Sequence, residues 1–145
     1  MEPSEVFDYD LFAKYVAISE LLGTSHNLRW INLRLYFNPK SNKFEPIAFD
    51  CFDGDDSRTT IVWYKQKVKY EYLLHPLLND KEFIKLIDEY LFMYTDPTFV
   101  RDVFHENHRA LRNAIELIKK DDKTYYFSKT AFFKRAKYLH EFLKQ

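Results

Sequence analysis

The sequence predicts an α+β fold that is mainly helical, with one β-hairpin after the first helix and a C-terminal helical bundle. Apolar residues recur at three-and-four spacing in four stretches, a period of two appears around residues 30–37, and the turn-forming "NPKSNK" follows that alternation directly.

Each element has its own signal. In "DYDLFAKYVAISELLG" the apolar residues Leu11, Phe12, Tyr15, Ile18 and Leu22 suit an amphipathic helix, with Asp8 or Asp10 to cap its start and Gly23 its end. In "LRWINLRLYF" Ile31, Leu33, Leu35 and Phe37 alternate with Trp30, Asn32, Arg34 and Tyr36, which predicts a strand with one apolar face. "FEPIAFD" is the return strand, and Pro46, having no N–H to donate, places it at an edge or at a bulge. "CFDGDDSRTT" reads as a loop, and "IVWYKQKVKYEYLL" is ambiguous between a strand and an irregular connection. Three helical stretches follow: "NDKEFIKLIDEYLFMY", with Phe83, Ile84, Ile87 and Leu91 on its inner face; "DPTFVRDVFHENHRALRNAIELIKK", capped by Asp96 with Pro97 at its first position; and "SKTAFFKRAKYLHEFLK", capped by Ser128. Phe83, Ile87, Leu91, Phe104, Leu111, Ile115, Phe132, Leu139 and Leu143 are expected to form one core.

Composition agrees with a folded unit. The chain has 145 residues, 46% hydrophobic and 19% aromatic, which suits a single domain over 1–145. Lys plus Arg and Asp plus Glu each number 22, so no overall charge steers the chain to nucleic acid or to an anionic membrane, and neither is expected as a partner. The lone cysteine, Cys51, excludes an intrachain disulfide and a cysteine-rich zinc site. "MEPSEVFDYD" is acidic and lacks the apolar segment of a signal peptide, and no run approaches the ~18 apolar residues of a membrane span. The expectation is a soluble chain, cytoplasmic as encoded, with a secreted or surface location open if it is a piece of a longer one.

The hairpin raises a chemical question, because Asn32 and Asp50 occupy positions where apolar side chains would pack better. With Phe37 opposite residue 44 or 45, Asn32 falls opposite residue 49 or 50, a direct or diagonal neighbour of Asp50. An amide oxygen beside a carboxylate is a hard-oxygen pair suited to Mg²⁺ or Ca²⁺; the plainer alternative is that Asp50 ends a strand and Asn32 faces water. Asp50, Asp53, Asp55 and Asp56 crowd one loop without the ligand order of an EF-hand, and a solvated acidic loop accounts for them. His105 and His108 are three apart on a helix, close enough to share a metal, but lack the spacing of a zincin motif. Lys65, Lys67 and Lys69, and likewise Lys134, Arg135, Lys137 and Lys144, read as solvated faces.

The order of these features resembles the spore coat protein H (CotH) kinase family. The resemblance is carried by the helix "FDYDLFAKYVAISELLG", the segment "SHNLRWIN" ending in Asn, "LRLYFNPKSNKFEPIAFD" running through an Asn-Pro turn to an Asp, and the ending "FSKTAFFKRAKYLHEFL". It covers residues 7–56 closely and 80–144 more loosely. The family is similar to an atypical protein kinase, so the resemblance implies a kinase-like C-lobe that uses ATP with Mg²⁺ or Mn²⁺. It implies that Asn32 matches the catalytic-loop Asn that holds one metal and Asp50 the Asp that holds the metal bridging the phosphates.

The departures from that pattern are specific. The expected base stands five residues before the metal-binding Asn, and there this chain has Asn27, no carboxylate; the adjacent His26 could substitute. The family's Trp-Asp-x-Asp is here "FDCFD", so the second acid comes one position late, at Asp53. Two glycines, Gly23 and Gly54, leave no glycine-rich loop, so the expectation is a C-lobe-like unit that is inactive by itself and whose partner is a missing N-lobe segment or another protein. A scaffold module that binds a protein, and a metal-dependent hydrolase using the acids at 50 to 56, are the other readings.

Overall fold

Helix α2, Tyr9–Leu22, begins where the Asp8 carboxylate accepts from the Leu11 amide at 3.0 Å. It ends at Gly23, whose φ of 72° is left-handed, with Thr24 N donating to Ser19 O and Gly23 N to Glu20 O. This computed structural model describes residues 2–24, 26–49, 62–66 and 74–145. Within them the short α1, Pro3–Val6, precedes α2, and a 3₁₀ turn, His26–Leu28, leads to the hairpin of β1, Arg34–Asn38, and β2, Lys43–Ile47. A second 3₁₀ turn, Trp63–Gln66, is followed by α3, His75–Leu78; α4, Lys81–Tyr94; α5, Pro97–Glu106; α6, His108–Asp121; and α7, Lys129–Phe142.

The antiparallel pairing puts Phe37 opposite Phe44, one of the two registers expected, and ends at Arg34 opposite Ile47. Pro46, opposite Leu35, lies two residues from Phe44, whose carbonyl accepts from Asp8 N on the side of β2 away from β1, so position 46 also faces outward and its missing donor costs no ladder bond. The turn closes with Asn42 at φ 57° and its N–H on Asn38 O at 2.8 Å. The expected strand is too long at its start. Residues 29–33 form a tight turn in which Asn32 N and Leu33 N both donate to Arg29 O, so alternation breaks there: Leu33 is buried and Ile31 is 66% exposed.

The core is built on α2 against α4. Phe12, Ala13, Val16 and Ala17 of α2 meet Phe83, Ile87 and Leu91 of α4, all with essentially no exposure, and Ala136 and Leu139 of α7 close the cluster. Burial of each large apolar side chain contributes roughly 1.5–3 kcal/mol. Asp80 caps α4 with one oxygen and accepts from the Tyr9 hydroxyl with the other at 2.6 Å, while Tyr90 of α4 donates to Asp10 of α2. Those hydrogen bonds draw the Asp80 and Asp10 carboxyls below their usual range, led at Asp80 by Tyr9 and at Asp10 by Lys14, with Tyr90 next.

Three expectations about the helices are corrected. The inner face of α2 is not Leu11, Ile18 and Leu22, which are all exposed; the small residues Ala13 and Ala17 allow α4 to approach the adjacent face instead. The stretch from Asp96 to Lys120 is two helices, because the chain breaks at Asn107, whose side-chain amide donates to Val103 O. Beyond that break α6 leaves the core: Phe104, Phe132 and Leu143 pack against the cluster, but Leu111 and Ile115 are only half-buried and outside it, and Leu117 is 63% exposed. The Asp96 and Ser128 caps and Pro97 at the start of α5 stand as expected. No helix among the described residues is long and apolar enough to cross a membrane.

Leu139→Ala is expected to lower unfolding stability by about 2–5 kcal/mol, whereas Leu117→Ala on α6 should change it by less than about 1 kcal/mol, both measured by urea denaturation.

Candidate functional site

The turn after α2 gathers three of the expected site residues. Asn27 is buried: its side-chain amide donates to Ser19 Oγ at 2.6 Å, and its Oδ1 accepts from Thr24 Oγ1 at 3.4 Å. The Tyr15 hydroxyl donates to its backbone carbonyl. Asn27 therefore spends its polar atoms fastening the 3₁₀ turn to the end of α2, and an amide is in any case no proton acceptor for catalysis.

Asn32 is also buried, held by its nitrogen. Nδ2 donates to His26 O at 3.1 Å and meets His26 Nδ1 at 3.1 Å. A carbonyl oxygen can only accept, so the amide orientation is set by this contact rather than chosen. Because Nδ2 can only donate, His26 Nδ1 is the accepting nitrogen and the neutral ring carries its proton on Nε2. No donor among the described residues reaches Asn32 Oδ1, which leaves a fixed amide oxygen with its lone pairs available.

Asp50 and Asp53, like Cys51, Asp55, Asp56, Lys67 and Lys69, lie outside the described residues. Asn32 itself is not on the strand, so it is not presented by the ladder as expected; the turn at Arg29 and the His26 contact orient it instead. His105 and His108 are exposed, with His108 Nδ1 against His105 O at 2.8 Å. Among the described residues no three His, Cys, Asp or Glu side chains are grouped to hold a metal ion.

The strongest electrostatic feature lies one turn back on α2. Glu20 has no exposure, and its Oε1 accepts from the Tyr64 amide at 2.7 Å while Oε2 faces Arg135 Nη2 at 3.2 Å. Arg135 Nε donates to the Glu20 carbonyl at 2.5 Å, so a residue of α7 satisfies a carbonyl at the C-terminal end of α2, where positive charge is favoured by the helix dipole. Arg135 is thus buried and paired, not part of a solvated basic face. Tyr64 in turn donates its hydroxyl to Asp88 Oδ1 at 2.5 Å, and Lys65 Nζ reaches Asp88 Oδ2 at 2.8 Å. Burial pushes the Glu20 carboxyl up to about 7, against the opposite pull of the Tyr64 amide, Arg135 and the Trp63 amide. Burial, then the Asp88 contact, also pushes the Tyr64 phenol up.

Reading apolar residues alone missed this network. Its signal was present: Glu20 continues the series Phe12, Ala13, Val16, Ala17, and Arg135 sits between Phe132 and Leu139, so opposite charges interrupt two inward faces.

The family model described as "CotH kinase protein" matches residues 2–145. No curated protein and no solved structure matches the chain.

Glu20 binds its proton more tightly when folded than its ordinary value of 4.5 allows, so its contribution to stability is full below pH 4.5 and is lost as pH rises through about 7. Wild type should lose up to about 3 kcal/mol relative to Glu20→Gln across that window, read from urea denaturation at stepped pH.

Proposed function

The chain belongs to the CotH kinase family, and on that premise we propose that it carries the metal-holding end of an ATP-dependent phosphoryl-transfer site on a kinase-like C-lobe. The observation that carries the reading is Asn32: a buried amide, pinned through its nitrogen, whose oxygen remains available. Its donor type fits Mg²⁺ or Mn²⁺, and Asp50 is the carboxylate that would complete the pair. Such an ion, when bound, neutralises charge on the transferring phosphates.

The residues of the chain divide the remaining work. His26 orients Asn32 and is the titratable side chain in contact with it among the described residues, but its accepting nitrogen is spent on that contact, so taking a proton in place of Asn27 would require it to release Asn32. Asn27 secures the turn that carries both. These 145 residues hold two glycines and no glycine-rich phosphate loop, so nucleotide cover is assigned to a further segment or a protein partner. A non-catalytic scaffold is the second reading, favoured by the buried, fully engaged amide at the position of the base.

The expected outcome is weak Mn²⁺ binding that Asn32→Ala and Asp50→Ala each abolish, with no measurable transfer from labelled ATP to a generic acceptor by these residues alone. Missing base and nucleotide cover should reduce turnover by several orders of magnitude. Transfer by the wild-type chain that Asp50→Ala removes would show that the chain is active as it stands. Mn²⁺ binding indifferent to both substitutions would leave the scaffold reading.

A further inference from the structure

The hairpin has one covered edge and one open one. β2 is the strand that meets α1 and α2, and its outer edge is taken by the N-terminal segment: Asp8 N donates to Phe44 O at 2.9 Å, and Phe7 bridges Phe44 in parallel. β1 is the far strand of this two-stranded sheet. The N–H and C=O of one strand residue point to the same side, and the sides alternate along the strand. Because Phe44 faces away from β1, its partner Phe37 faces away from β2, and so does Leu35, the partner of Pro46. No backbone group among the described residues pairs with these outward N–H and C=O groups. The devices that blunt an edge, a proline and a covering segment, both belong to β2. β1 has neither proline nor bulge, and Tyr36 and Phe37 stand 51% and 46% exposed on it.

We propose that β1 is the docking edge for a second copy of this chain, the two β1 strands pairing antiparallel about a two-fold axis at Tyr36. The register argues for that occupant. With the axis at Tyr36, Leu35 of each copy stands opposite Phe37 of the other, and every outward donor and acceptor on both edges is used. An axis at Leu35 or at Phe37 leaves the other residue opposite a position beyond the strand, and a slip by one residue sets outward groups against inward ones. Charge agrees with the same register. Arg34 falls opposite Asn38, the side chain that meets itself is the neutral Tyr36, and a formal net charge of zero sets no repulsion between copies. Leu35 packs against the core, so the two Tyr36 rings lie side by side on the opposite face of a sheet ordered β2-β1-β1-β2. The pairing is small and therefore weak and concentration-dependent. It does not rest on the phosphoryl-transfer reading.

The experiment measures the oligomeric state of the full chain by sedimentation equilibrium from about 1 µM to about 500 µM, a span that covers weak association. Wild type should pass from monomer to dimer. Tyr36→Lys and Tyr36→Glu each set like charges opposite one another at the axis and remove the aromatic pair, so each alone should weaken dimerisation about tenfold or more. Mixed in equal amounts, the two variants should dimerise again, because Lys then faces Glu. Phe37→Pro removes an N–H that β2 does not use, so it should weaken dimerisation and leave the helical circular dichroism unchanged. In wild type the Leu35 and Phe37 amides should exchange hydrogen about fivefold or more slowly at the high concentration than at the low, with the Tyr36 amide, inside the hairpin ladder, as the reference.

A wild-type chain that stays monomeric throughout overturns the proposal and leaves the edge to a strand of a different protein. A dimer that both Tyr36 variants form as well as wild type does, or one in which the Leu35 and Phe37 amides exchange as fast as in the monomer, overturns the β1 edge as its interface. Two monomeric variants that stay monomeric when mixed overturn the axis at Tyr36.

Discussion

Two charges taken out of water, Glu20 and Arg135, set the relation between the helices at the two ends of the sequence. Coulomb attraction between them is strong in a weakly polar interior, but so is the cost of burying each. The arrangement holds because each charged group has a second partner: the carboxylate also accepts the Tyr64 amide, and the guanidinium also satisfies the Glu20 carbonyl. Gly23 belongs to the same constraint. Its left-handed φ ends α2, and a methyl group there would meet Arg135 Nε at 3.3 Å, so the turn and the ion pair both favour glycine.

The candidate site is downstream of that constraint. Where α2 stops decides where the 3₁₀ turn starts, and Asn27 fastens that turn back onto Ser19 and Thr24. The turn carries His26, and His26 aims Asn32. The polar residues thus form a relay of positions from a buried charge to an amide oxygen near the surface. Each link is short-range, and none depends on the net charge of the chain, which is zero.

Much of the fold was legible because local signals agreed with tertiary packing. Asp8, Asp96 and Ser128 cap where their sequence places them, and the apolar period of α4 matches its buried face. What failed to show was decided by partners distant in sequence. The face of α2 turned on whether α4 could approach alanines, which no period of large apolar residues reveals, and α6 has an apolar period without a core partner. Asn32 was legible as an anomaly, a polar residue within an apolar run. The device that orients it was not, since the alternation of Ile31 and Leu33 imitates a strand where the backbone makes a turn at Arg29.

The isolation of α6 has a consequence for how the protein is cut. A helix whose side chains leave the core untouched can open by itself, at a free energy well below that of global unfolding. Arg109, Arg112, Lys119 and Lys120 all lie on it, exposed. A protease specific for basic residues will therefore nick the chain between α5 and α7 ahead of the arginine sealed behind α2. Cleavage there would leave α2, α4 and α7 paired as two associated pieces, still joined through the contact between Glu20 and Arg135.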